Sequence, residues 1–168
     1  MFSIGEKIIY GSEGVFTVHD YSASPVDKND TRKFYILHPV HGPAGNIIYT
    51  PVDNSNVKMR AVMSRDEAIE FIDSMPSIPL LTVEREKNRR ETYKIALASA
   101  SVDKYVSIIK TVMARRAEML ENKKRLSESD SDYEKKAKFC LHGELSVALD
   151  MPFESVEEYI KDRLTVEK

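Results

Sequence analysis

Two hydrophobic periods divide the chain. Through about residue 62, apolar and polar positions alternate in short runs separated by Gly, Pro, Asn and Asp; beyond it, apolar positions recur every three or four residues. The first part predicts five short strands, at 8–10, 15–21, 33–37, 47–51 and 57–62. Turns at 11–14, 42–46 and 53–56 and a polar loop at 22–31 join them. Strands this short with Gly-, Pro- and Asn-bearing turns predict a small closed all-β unit, which has no room for a deep active site and presents an edge or a face to a partner.

The second part predicts helices. Ser64 and Glu67 form a capping box, in which the Ser hydroxyl accepts from the Glu67 N–H and the Glu carboxylate accepts from the Ser64 N–H. Behind it Ala68, Ile69, Ile72 and Met75 line one face, and Pro76 ends the helix. Residues 77–80, flanked by Pro76 and Pro79, read as a linker. Further helices are predicted at 84–98, 102–121, 131–149 and 154–164, the third behind a second capping box, Ser131 with Glu134. Val106, Ile109, Met113, Ala117 and Leu120 form one apolar stripe; Tyr133, Ala137, Cys140, Leu141, Leu145 and Ala148 form another. Both stripes are expected in the core, because a small helical domain buries one face of each helix. The expected organisation is a β-module at 1–62, a capped helix and linker at 63–80, and a helical domain at 81–168.

Particular residues carry a family resemblance. Phe2, Gly5, Glu6, Ile8, Ile9 and Tyr10 open the chain, followed by the strand Phe34, Tyr35, Ile36, Leu37, then Tyr49, Thr50, Pro51, Val52, and finally Arg60, Ala61, Val62. In this order the stretch resembles the RNA-polymerase-interacting domain of CarD-type transcription regulators and the bacterial transcription-repair coupling factor. Leu97 to Ser101, Arg115 with Arg116, Leu126 with Ser127, and Gly143, Glu144, Leu145 extend the resemblance into the helical half. The resemblance implies an α+β protein, a small Tudor-like β-barrel followed by a compact all-α domain. It implies docking on the RNA polymerase β subunit around Tyr21, Ser22, Ile48, Tyr49 and Thr50. Two positions depart from the family pattern: Gly11 stands where Pro is usual, and the chain has no Trp to wedge into a DNA groove at the start of the helical domain, residues 83–87 occupying that region.

Charge changes this picture by its distribution. The chain of 168 residues has a net charge of −2, yet residues 85–125 hold 12 Lys and Arg against 5 Asp and Glu. Clustered cations attract a phosphate backbone through counterion release; equally, they solvate helix surfaces and offset helix C-termini. Together with the resemblance, the segment makes Arg85, Lys87, Arg89, Arg90, Lys110, Arg115 and Arg116 candidate contacts to promoter DNA. The acidic run Glu128 to Asp132 opposes such contact. The alternative function is an interaction module that binds polymerase or another protein without touching DNA.

Composition bounds the remaining classes. Hydrophobic residues at 42% and charged residues at 31% describe a foldable chain rather than a disordered one. No apolar run is long enough for a membrane span, and the N-terminus lacks the pattern of a signal peptide. A single cysteine, Cys140, makes no internal disulfide, which fits a reducing cytoplasm. His38 and His41 lack a third ligand at a suitable spacing for zinc, Cys140 falls on an apolar helical face, and Glu67, Glu70 and Asp73 form a solvated helix face. No phosphate-binding Gly loop or nucleophile elbow is present. The expectation is a cytoplasmic, monomeric, non-enzymatic regulator that needs no cofactor or metal.

Overall fold

Strands β1 (Lys7–Tyr10), β2 (Val15–Ser22), β3 (Phe34–Pro39), β4 (Ile48–Pro51) and β5 (Met59–Ala61) make one antiparallel sheet in the order β4-β3-β2-β1-β5. Helices α1 (Arg65–Ser74), α2 (Arg89–Ala98), α3 (Val102–Glu121), α4 (Glu128–Leu149) and α5 (Val156–Val166) follow, so the protein is α+β. This is a computed structural model that describes residues 1–166.

The sheet curls but does not close. Ile8, Phe16, Val18, Tyr35 and Leu37 fill its concave face. Across that face the Tyr10 hydroxyl of β1 donates to Thr50 Oγ1 of β4 at 3.4 Å. The expected Tudor-like barrel would join β4 to β5, and here both are edges. Only three residues long, β5 is committed elsewhere: the Arg60 guanidinium reaches into the helices and donates to Glu144 and to the Ala100 carbonyl. The opposite sheet face carries Ile9 and Val15, which pack with Val40 and Val62 against Ala100 and Val147 of the helical part. In the tight β1–β2 turn Gly11 has a φ of 50°, and a Cβ there would stand 2.8 Å from Val57. Proline, fixed near −65°, has no access to that backbone, which is why Gly suits this turn.

Local signals set most helix boundaries. Both bonds of the Ser64–Glu67 capping box form, at 3.2 and 3.0 Å, and Ala68 and Ile72 are buried behind it. The second capping box does not form where expected. Helix α4 starts at Glu128 with Ser127 as N-cap, its hydroxyl accepting from the Asp130 N–H at 3.1 Å, so Ser131 lies inside the helix. The run Glu128 to Asp132 therefore occupies the first turn, where carboxylates complement the exposed N–H groups.

Helix α3 buries a different face from the one expected. Tyr105, Ile108 and Val112 are inside with Val106, whereas Met113 is 55% exposed and Leu120 76% exposed. The helix carries two apolar stripes, and the one that meets α2 and α4 holds the large Tyr105 ring. Its third face is polar and grips residues 76–81. Lys110 Nζ donates to the carbonyls of Met75, Pro76 and Ile78, Ser107 donates to the Pro79 carbonyl, and the Leu81 N–H donates to Thr111. The segment expected to be a linker is thus strapped to α3, and α1 shares one core with α2, α3, α4 and α5.

Candidate functional site

The residues expected to face polymerase gather at one end of the sheet. Strand register sets Tyr21 beside Tyr35 and Tyr35 beside Thr50, with Ser22, Phe34 and Pro51 in the next row. Alternation then divides them between the two faces. Tyr49 points away from the core and is 48% exposed, whereas Thr50 is 1% exposed and accepts from Asn54 at 3.0 Å. Thr50 therefore supports the edge from within rather than offering a side chain to a partner. Tyr21 is half-buried: its hydroxyl donates to the Phe2 carbonyl at 2.6 Å, and Lys33 Nζ lies 4.0 Å from the centre of its ring. Ser22 turns back to the Ala23 carbonyl, and Ile48 is half-buried on the strand. Ile36, opposite Tyr49 on β3, belongs to the same outward row, although the sequence placed it on the strand and not among the docking residues. Among the described residues β4 pairs on one side only, so its other side is a row of backbone donors and acceptors open to strand addition.

The basic segment separates into cations that hold the fold together and cations that face outward. Helix α4 presents three buried carboxylates, each answered by arginine from another element. Asp130 receives Arg89 through two bonds, at 2.8 and 3.0 Å, and lies 3.3 Å from Arg115; Arg89 and Arg115 also bridge to Glu86. Glu134 receives Arg116 at 2.7 Å. Glu144 receives Arg60. Burial raises the Asp130 pKa, but the bonds from Arg89 and Ser127 outweigh it and hold the carboxyl below the usual range. Burial of Tyr93 and its neighbour Asp130 push that phenol up.

Of the seven candidate DNA contacts, Arg89, Arg115 and Arg116 are therefore engaged with carboxylates and Lys110 with main-chain carbonyls. Arg85, Lys87 and Arg90 are exposed at the short turn 86–88 and the start of α2. One turn beyond Arg90, Lys94 opens onto a groove of about 650 Å³ between the β1–β2 turn, α2 and α4. Lys135 and Lys136 stand on its far side, and Tyr133 and Phe139 supply aromatic lining. Lys136 Nζ is 5.3 Å from the centre of the Tyr133 ring. Periodicity in α4 indicated Tyr133, but Lys135 and Lys136 escaped notice because they sit in a segment of net negative charge. Three lysines beside an aromatic lining give phosphates a cationic wall and a planar group a surface to lie on. Glu13 is the acid on the same rim.

The candidate chemical groups occupy structural positions. Cys140 is buried, donates to the Ser12 carbonyl at 3.4 Å, and has its thiol pushed up to about 12, chiefly by burial. His38 stacks on His19 at 3.9 Å between ring centres, while His41 lies against Phe153. Among the described residues no group of three or more His, Cys, Asp or Glu could hold a metal ion, and no helix is long and apolar enough to cross a membrane. No family model matches the chain, and no curated protein is similar to it.

Proposed function

We propose that this chain is a bacterial, non-enzymatic transcription regulator that docks on the RNA polymerase β subunit through its N-terminal sheet and stabilises opened promoter DNA through its helical part. The observation that carries this reading is the open β4 edge with Tyr49 exposed upon it, at the position the CarD resemblance gives to the polymerase contact. In this reading the curled sheet is a Tudor-like barrel left open along one seam, and docking adds a strand of the partner to β4. An exposed Tyr flanked by half-buried apolar residues suits an interface anchor. The protein acts in the cytoplasm as a monomer, without cofactor or metal.

Phosphate contact falls to the outward cations: Arg85, Lys87 and Arg90 with Lys94, Lys135 and Lys136. Arg89, Arg115, Arg116 and Lys110 position the helices that carry them. Binding the open promoter state better than the closed one shifts the equilibrium without catalysis, and about 1.4 kcal/mol of differential contact changes the ratio tenfold.

A second reading is favoured by Asp130 and Glu134, which take up three of the seven candidate arginines and lysines. In it the chain binds polymerase or another protein and leaves DNA alone. The deciding experiment measures binding of the purified chain to an isolated polymerase β-subunit lobe, with and without Tyr49→Ala. DNA is then added at low and moderate salt. Saturable lobe binding weakened by Tyr49→Ala supports docking, and DNA affinity falling steeply with salt supports the first reading over the second. Absence of lobe binding removes the first reading and leaves the second only with a partner other than polymerase.

A further inference from the structure

One apolar stripe on α3 is only partly covered among the described residues: Ile109 is half-buried against the core, whereas Met113 and Leu120 are exposed. Ile109, Met113 and Leu120 follow one another at spacings of four and seven, so they share one side of the helix. At Ile109 and Met113 this side opens into a groove of about 450 Å³. Its other walls come from three further elements: Met75 after α1, Leu141 on α4, and Ile160 with Leu164 on α5. The rim is charged, with Lys110, Lys138 and Lys161 set against the single acid Glu157. Glu157 lies 3.9 Å from Lys161 and offsets it. Lys110 is turned onto three carbonyls just beyond the end of α1, which offset its charge in part without neutralising it. Lys138 adds a second positive charge to the rim. The groove shares no residue with the lysine-lined groove beside α2.

We propose that this groove binds an amphipathic helix of a partner protein whose apolar anchors are flanked by Asp or Glu. A trough between packed helices accepts side chains spaced at i, i+3 or i+4, and i+7 from one face of a bound helix. The positive rim selects the charge of the flanks, since opposed potentials set partner choice more than raw affinity does. A second copy of this chain is a poor occupant: a two-fold contact on the same patch brings Lys110 and Lys138 of both copies together.

The test uses two short synthetic helical peptides with identical Leu and Ile anchors, one flanked by Glu and the other by Lys. Each is titrated into the full chain, with the Met and Ile methyl groups followed by NMR. The expected result is saturable shifts of Met113, Ile109 and Ile160, with the Glu-flanked peptide binding about tenfold more tightly than the other. Met113→Asp, at a solvent-exposed position the fold tolerates, abolishes these shifts, and Lys138→Glu erases the preference for the acidic peptide. Equal binding of both peptides, shifts confined to other methyls, or no saturation overturns the proposal. So does movement of the same methyls with the concentration of the chain alone, which would assign the groove to self-association.

Discussion

Arg60, on the last strand of the sheet, forks onto Glu144 in the middle of α4, with its two terminal nitrogens 2.6 and 2.8 Å from the carboxylate oxygens. Glu144 is 0% exposed. The pair links residues 84 positions apart and ties the sheet to the helices through two charge-assisted bonds. Removing one partner of a buried pair strands the other, so Glu144→Ala or Arg60→Ala is expected to cost about 3–5 kcal/mol. The joint replacement Arg60→Met with Glu144→Leu is expected to cost less than either single change. Urea unfolding of the three variants checks this; single variants as stable as the parent would show that the tie is dispensable.

Asp130 is expected to contribute to the acid limit of the helical part. Its pKa is lowered in the folded protein, so its contribution to stability is present above the ordinary Asp value of about 3.9 and is lost as pH falls through the lowered folded value. Asp130→Asn is expected to destabilise the protein at neutral pH and to flatten the loss of stability on acidification below about pH 4. Thermal unfolding of both proteins across that range measures the slopes. Parallel slopes would assign the acid transition to other carboxylates.

His41 and His142 predict a second pH effect in a milder range. Burial lowers both values, opposed at His41 by Glu154 and at His142 by Glu157, while Lys138 adds to the lowering at His142. Groups kept neutral in the fold contribute stability that is full above about 6.5, the unfolded value, and declines as pH falls below it. The parent is expected to lose stability between about pH 7.5 and about pH 5.5, and the double variant His41→Asn, His142→Asn to lose less. Urea midpoints at the two pH values read the difference; identical losses would defeat the prediction.

Charge reversal distinguishes the two kinds of cation. Lys94→Glu with Lys135→Glu and Lys136→Glu is expected to leave stability nearly unchanged, because all three are on the surface, and to reduce both DNA affinity and its salt dependence. Arg89→Glu with Arg115→Glu is expected to unfold the helical part, since it sets two carboxylates beside buried Asp130. Circular dichroism and DNA titration on each set check this. Unchanged DNA binding in the triple lysine variant would remove these lysines from the phosphate contact, whereas no DNA binding by the parent would favour the protein-only reading.

Lys110 offers a purely structural test. Its ammonium caps three carbonyls at the end of the turn after α1, and Lys110→Met leaves them without that donor. A loss of about 1–3 kcal/mol is expected, from unmet acceptors in a partly buried site. Faster hydrogen exchange confined to residues 76–81 would accompany it, whereas a uniform change along the chain would contradict the strap.

How much of this was legible in the sequence depended on how local each signal was. Alternation and Gly-bearing turns gave the strands at 8–10, 15–21 and 47–51 to within a residue or two, and the Ser64 capping box gave the start of α1. The end of α3 and the apolar face of α4 followed from periodicity. Barrel closure was not legible, because it turns on Arg60 choosing Glu144, a partner distant in sequence. The buried side of α3 was ambiguous for a simpler reason: two stripes of similar apolarity run along it, and only neighbours decide between them. The basic segment was ambiguous in the same way. A count of lysines and arginines along the chain cannot show that α4 answers three arginines of α2 and α3 with Asp130 and Glu134.

The asymmetry between the sheet's edges has a geometric meaning. One edge is anchored through Arg60 and the other is open, with four inter-strand steps between them. At about 4.8 Å per step the span is at most about 19 Å, and curl shortens it. A molecule that adds its strand to β4 is thereby held at a set distance and rotation from α4. The five strands act as a ruler, so the spacing between a docked partner and whatever the helices touch is fixed by the number of strands and not by the strength of either contact.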